Sequence, residues 1–198
     1  MVIARSPTEA TYEGDHIVLT HGMSWEAFEA FLEARGEASR PRIAYAHETL
    51  EQMSPSRRHE DRKSLVGSLL EAYLFEKNIY FVFWGSTTLK NAIAKKAAEP
   101  DESYAFAKGL ARPDLAIEAV LSSGGLKKLE IYRDLGVTEV WFWTEKGIEA
   151  FALGASGYAP IETSVVIPEL SIALIAGYAA RDDAFEAVTA FRAALRET

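Results

Sequence analysis

From Arg112 to Ser122 the chain reads RPDLAIEAVLS, and this run constrains the fold more than any other. Leu115, Ile117, Val120 and Leu121 suit a strand with little exposure on either face, and Pro113 marks its entrance, because proline cannot donate to a sheet ladder. Glu118 stands in the middle of that strand and needs a partner. A carboxylate stripped of its hydration there is protonated, salt-bridged or bound to a metal ion.

The flanking segments supply the layers around such a strand. SWEAFEAFLEARG has Trp25, Phe28, Phe31 and Leu32 at helical spacing, with Ser24 as N-cap and Gly36 as stop, and predicts an accessory helix near 24–36. RIAYAHETLEQM reads as a short strand-like piece. In SPSRRHEDRKSLVGSLLEAYLFEKN, residues Leu65, Val66, Leu69, Leu70, Tyr73 and Leu74 form one apolar stripe of a long helix. IYFVFWGS reads as a strand, and TTLKNAIAKKAAEPDESYAF as a strand with a polar interruption and a second start near Asp101. After the Glu118 strand, SSGGLKKLEIYRDLGV turns through paired glycines into a helix with Leu126, Leu129 and Leu135 on one side, and EVWFWT returns as a strand. GIEAFALG and GYAPIETSVV read as a closing hairpin. RDDAFEAVTAFRAALRET predicts a C-terminal helix near 181–196 with Phe185, Val188, Phe191 and Leu195 inward. The expected class is α/β, a mixed central β-sheet flanked by helices.

Composition narrows the function. With 198 residues and 48% apolar content, residues 1–198 suit a single domain with a full core. There is no cysteine, so disulfides, thiolate zinc sites and a cysteine nucleophile are excluded. No stretch approaches the roughly eighteen uninterrupted apolar residues of a membrane span, and MVIARSPTEATYEGD lacks a signal-peptide hydrophobic region, so no membrane association and a cytoplasmic protein are the expectation. The formal net charge of -8 opposes strong nonspecific affinity for nucleic acid. Local basic runs, SRRHEDRK, NAIAKK and GLKK, can still line one cleft.

Residues two apart on a strand share a face, so Asp114, Ala116, Glu118 and Val120 point the same way, with Ala116 leaving room between the acids. If the preceding strand runs alongside, as the short AKGLAR connection favours, Asp101 of EPDESY approaches Glu118 across the ladder. Converging carboxylates need a compensating cation. Two oxygen ligands with open positions suit magnesium or manganese rather than zinc. Lys128 on the following helix is the best protein candidate for a positive charge, and Lys127 points about 100° away. The chemistry this implies is metal-assisted phosphodiester hydrolysis, with a lysine orienting the attacking water or steadying the transition state.

The segments EPDESY, PDLAIEAVLSS and LKKLEIYRDLGVTEVW, in this order, resemble the core of the Uma-type "putative restriction endonucleases" (DUF820), a bacterial branch of the PD-(D/E)xK nuclease superfamily. ETLEQMSPSRRHE is similar to that group's leucine-glutamate strand, MSPS and histidine-glutamate pair, and STTLK before the acidic loop also fits. The pieces run from near Arg42 to Trp143. The resemblance implies a restriction-endonuclease-like fold, a divalent-metal site and DNA as substrate. It implies Asp101 and Glu118 as metal ligands, the carbonyl of Ala119 as a third, and Lys128 as the catalytic lysine. One departure stands out: the strand lysine expected two residues after the glutamate is Val120 here, so ExK reads EAV. His59 and Glu60, at the start of the first core helix, and Asp114 on the Glu118 strand are supporting candidates, Glu60 for a second metal or a water.

Structural readings stand beside these. Glu118 can pair with Lys128 or Arg112; Glu60 can complement a helix dipole; Asp114 can cap local backbone amides after its proline. HEDRK lacks the second histidine of a zinc motif, Gly124 and Gly125 lack phosphate-loop spacing, and the EVWFW tryptophans read as packing rather than a stacking platform. A metal-dependent DNA endonuclease, working as a homodimer to cut two strands, is the leading expectation. The rival is a noncatalytic binding module on the same fold; a glycosidase using two acids fits the nearby lysine poorly.

Overall fold

The computed structural model describes residues 14–120, 125 and 127–197. The first half of the chain gives β1 (His16–His21), α1 (Trp25–Arg35), β2 (Arg42–Ala46), β3 (Thr49–Ser54), α2 (Arg57–Glu76) and β4 (Val82–Phe83). Then follow β5 (Leu89–Asn91), β6 (Lys96–Ala98), β7 (Glu102–Ala105), β8 (Leu115–Ala119), α3 (Lys128–Leu135) and β9 (Glu139–Thr144). The chain closes with β10 (Gly147–Gly154), β11 (Gly157–Ile161), α4 (Ile172–Ala179) and α5 (Ala184–Arg196).

The expected mixed sheet is the larger of two. Six strands lie in the order β11-β10-β9-β8-β7-β4, with β8 and β9 parallel and the other neighbours antiparallel. The connection between the parallel pair carries α3. A second sheet, all antiparallel, has the order β1-β3-β2-β6-β5.

Alternation along β8 sorts its residues between two cores. Leu115 and Ile117 join Trp141 and Trp143 of β9 against α2, α4 and α5. Ala116 faces the other way and packs with Val140 against Ile131, Tyr132 and Leu135 of α3. The far side of α3 meets Ala44, Ala46 and Ala98 of the second sheet, so the helix lies between the two sheets. The alanines of the second sheet let the helix approach that sheet closely. On the outer face of the second sheet, Ile43, Tyr45 and Leu50 pack against Trp25 and Phe28 of α1.

Several expectations are corrected. RIAYAHETLEQM is a hairpin, turning at His47 and Glu48 with φ of 50° and 53°, a two-residue turn whose positive dihedrals match the twist of the strands. β1 lacks an apolar alternation because nearly all its side chains are exposed. Of the aromatic run after α2, only Val82–Phe83 pairs in a sheet. α4 lies in SIALIAGYAA, which carried no prediction, and packs on α2 and β10. Phe185 is 80% exposed, because the inward stripe of α5 is Ala187, Phe191 and Leu195, at four-residue spacing, with Val188 at its border. On α3, Ile131 and Tyr132 are fully buried beside Leu135, while Leu129 is half-buried and Leu126 lies outside the described residues.

The start of β9 shows how a buried charge can serve the fold alone. Glu139 is 0% exposed; its carboxylate accepts from Trp141 Nε1 at 2.5 Å, Ser164 Oγ at 3.1 Å, and the N–H groups of Val165 and Val166 at 2.7 and 3.2 Å. Removing one acceptor orphans several buried donors at once. Glu139→Ala is therefore expected to destabilise the protein by roughly 3 kcal/mol or more in urea unfolding, and Glu139→Gln by less.

Candidate active site

β7 and β8 pair with Glu102 opposite Ile117, Ser103 opposite Ala116 and Tyr104 opposite Leu115. Continuing this register one step sets Asp101 across from Glu118, on the same face, as the sequence suggested. Asp101 is also the last residue of the crossing from β6 in one sheet to β7 in the other. That crossing is held from below: Arg42 on β2 donates from Nη1 to the carbonyls of Pro100 and Asp101, at 2.8 and 3.3 Å.

Asp101 is 1% exposed. Its Oδ2 accepts from the Ala119 N–H at 2.7 Å and contacts His59 Nε2 at 2.8 Å. Its Oδ1 lies 3.0 Å from Arg42 Nε as an ion pair, yet accepts no hydrogen bond. Burial opposes the charge on Asp101, but His59, Arg42 and the Ala119 amide outweigh it and hold the pKa below the usual aspartate range.

His59 enters because α2 begins beside the site. Ser56 caps the helix by accepting from His59 N–H at 3.2 Å. Asp15 Oδ1 accepts from Ser56 N–H at 2.9 Å, and its Oδ2 stands 2.9 Å from His59 Nδ1. The buried imidazole therefore bridges two carboxylates. Burial works against its charge, but Asp101 and Asp15 together raise its pKa to about 9. At neutral pH it is an imidazolium donating from both nitrogens.

Glu118 is 4% exposed and has found its partners on α3. Tyr132 donates its hydroxyl to Oε1, and Lys128 Nζ stands 3.9 Å from the same atom. Lys128 and Tyr132 are four residues apart, hence neighbours on one helix face. Burial first, then the charge of Asp101, pushes the Glu118 pKa up to about 7, against the opposing pull of Lys128, Tyr132 and Arg42. Lys128 is held above the usual lysine range: burial disfavours its charge, but Glu118, Glu51 and Asp101 outweigh that. These three carboxylates favour its charged form.

Glu51, Tyr132, Arg42 and Asp15 were not singled out by sequence reasoning. Leu50 on β3 faces α1, so Glu51 and Met53 face the site; Glu51 is 3% exposed with Oε1 3.3 Å from Lys128 Nζ. Its carboxylate lies against Gly125, where a Cβ would collide with it. Helical spacing from Lys128 would have found Tyr132. For Asp15 the sequence offers no signal.

Other candidates lie elsewhere. Glu60, 100° around the helix from His59, turns to Arg40, Arg42 and Lys63 at 3.2, 3.7 and 3.4 Å. Asp114 sits at the opposite end of β8, about 13 Å along the strand, and caps the Phe106 N–H at 2.8 Å. Arg112 packs against Gly136 and not against Glu118. Val120, 38% exposed, puts an apolar side chain on the cavity where the superfamily's strand lysine is expected. Among the described residues, no group of three or more His, Asp or Glu side chains is arranged to hold an ion.

In front of Glu118, Ala119 and Lys128 opens a cavity of about 820 Å³, bordered by Phe142, Phe151 and Tyr158. A family model described as "Uma2, putative restriction endonuclease" matches residues 25–178, well over half of the chain. The chain belongs to the Uma2 family. It is also similar in structure to a "putative nuclease belonging to DUF820" from Anabaena variabilis ATCC 29413, with a TM-score of 0.53 and 14% identity over 79% of this chain and 99% of that one. That likeness shows the fold, which is restriction-endonuclease-like. No curated protein matches. No helix among the described residues is long and apolar enough to cross a membrane. In this Uma2 chain every site residue except Asp15 falls within the family match.

The His59 arrangement has a pH signature. Its pKa rises from 6.5 to about 9 on folding, so the stability it adds is complete below pH 6.5 and is lost as pH climbs through 9. The unfolding free energy is expected to fall by on the order of 3 kcal/mol over that window. In His59→Gln the decline should be largely absent, as urea unfolding at constant ionic strength would show.

Proposed function

We propose that this Uma2 chain is a divalent-metal-dependent DNA nuclease of the PD-(D/E)xK type, with its lysine supplied by α3. The observation that carries the reading is the meeting of two buried carboxylates, Asp101 and Glu118, with the protonated Lys128 at the floor of an open cavity.

The residues fit magnesium or manganese. Asp101 Oδ1 is a buried oxygen that accepts no hydrogen bond, and both side chains are hard oxygen donors. Asp101 and Glu118 would hold the ion, with the Ala119 carbonyl as a third donor. Such an ion, when bound, supplies Lewis-acid stabilisation of phosphate charge and eases deprotonation of a water. Two carboxylates with open positions around them suit magnesium, which keeps several waters.

The protein's own groups do the positioning. His59 and the Ala119 amide fix one oxygen of Asp101, while the other faces Arg42 Nε at 3.0 Å and accepts no hydrogen bond. Tyr132 fixes Glu118 by donating to it. Glu51 draws Lys128 from the far side, so that the ammonium stands between two acids rather than swinging into solvent. Being protonated, Lys128 orients an attacking water or stabilises charge developing on the phosphate; it does not abstract the proton. Val120 leaves its corner of the cavity apolar, and the amine arrives from the helix instead.

The test is manganese binding by titration calorimetry, together with cleavage of single-stranded and double-stranded DNA in manganese, magnesium and chelator. Wild-type protein should cut only with metal. Glu118→Gln and Asp101→Asn should lose both binding and cleavage. Lys128→Met should keep manganese binding while cleavage falls by at least about 100-fold. Manganese affinity unchanged in Glu118→Gln, or cleavage surviving in chelator, would sink the proposal.

A further inference from the structure

The cavity above the two carboxylates has an aromatic wall that phosphodiester hydrolysis does not require. In the parallel pairing of β8 with β9, Glu118 lies opposite Phe142; in the antiparallel pairing of β9 with β10, Phe142 lies opposite Glu149 and Val140 opposite Phe151. Residues opposite one another share a sheet face. Phe142 is thus one strand away from Glu118, about 4.8 Å in backbone spacing, on the same surface.

Phe142 and Phe151 meet edge to face at 6.0 Å, and both line the cavity half-buried. Tyr158 extends the wall; its hydroxyl donates to the Val137 carbonyl at 2.5 Å, which locks the ring in place. The flanking Trp141 and Trp143 are buried in the core on the opposite face, so Phe142 alone of the EVWFW run is turned to the cavity.

Flat, anchored rings beside a phosphate-handling site suit bases whose faces are free. In a duplex those faces are covered by stacking and the edges are paired; in a single strand or an unpaired flap both are open. The charged lining points the same way. Lys127, Lys128 and Arg133 share the lining with a larger number of acids, Glu51, Glu118 and Glu130 among them, so the cavity is not a cationic groove of the kind a duplex backbone needs. Glu149, next to Phe142, offers an acceptor for an imino or amino N–H of an unpaired base.

We infer that the cavity binds an unpaired nucleotide, its base stacked on Phe142 and its phosphate directed to Asp101, Glu118 and Lys128, so that the substrate class is single-stranded or locally unpaired nucleic acid. This rests on the nuclease reading for the role of the phosphate end. The stacking end is tested apart from it.

Fluorescence anisotropy with a short fluorescein-labelled oligothymidylate, against a dA·dT duplex of equal length, reads the preference directly, in chelator and with calcium replacing magnesium. The single strand should bind at least about ten-fold more tightly. Phe142→Leu should weaken single-strand binding about ten-fold, while Phe142→Tyr, which keeps a ring, stays within about two-fold. If thermal unfolding shows Phe142→Leu to be misfolded, Phe151→Leu takes its place with the same expected direction. Equal affinity for the two probes, no single-strand binding, or a Leu variant that binds like wild type overturns the inference. Metal-dependent cutting of duplex with no single-strand preference would sink it and leave the nuclease reading intact. Ring-dependent single-strand binding without cleavage in any metal would sustain it and sink the nuclease reading.

Discussion

The rest of the structure depends on how one negative charge, on Asp101, is kept in a place with almost no water. The residue sits where the chain crosses from the second sheet to the first, and three different parts of the fold converge on it: the imidazolium of α2, the guanidinium of β2 and the amide of Ala119 on β8. An unpaired buried charge costs several kcal/mol, so these elements cannot drift apart independently. The two sheets are joined electrostatically at one of the three places where the chain passes between them. Glu99, two residues earlier in the crossing, is tied in the same manner by Arg35 at 2.5 Å, Thr88 Oγ1 at 2.6 Å and the Ile43 amide at 3.2 Å.

The packing of α3 follows from that joint. The helix has a sheet on each side: the alanines of the second sheet let it come close there, and its own Ile131, Tyr132 and Leu135 fill the space beside Ala116 and Val140. A helix seated in this way delivers Lys128 and Tyr132 to Glu118 with little freedom. Glu51, reaching in from the second sheet, closes the arrangement. Acids and cations are interleaved through the site, and the ionisation of His59, Asp101, Glu118 and Lys128 depends on the charged groups around them.

Much of this was legible in the sequence, and the parts that were not share a cause. The Glu118 strand, the Asp101 register and the aim of Lys128 follow from periods of two and 3.6 residues, which operate locally. The stripe of α2 was legible for the same reason. Phe185 misled because its apolar character suggested burial, whereas the inward face of α5 is set by the small Ala187 in register with Phe191. β1 and Asp15 were invisible: the strand is exposed and so has no hydrophobic pattern, and the aspartate acquires its meaning only when α2 begins beside it. Glu51 was noticed only as part of a motif, because its burial depends on a helix that arrives some seventy-five residues later.

Asp15 also separates two ideas of where this protein's working part begins. The family match opens at Trp25, and Asp101, Glu118 and Lys128 all lie after it. Yet the aspartate that holds His59 on its outer side precedes that boundary, reached through a solvent-exposed edge strand. Inheritance of the core and inheritance of its charge balance need not coincide. A chain that kept His59 and Asp101 but had no acid at position 15 would hold its imidazole by one carboxylate in place of two.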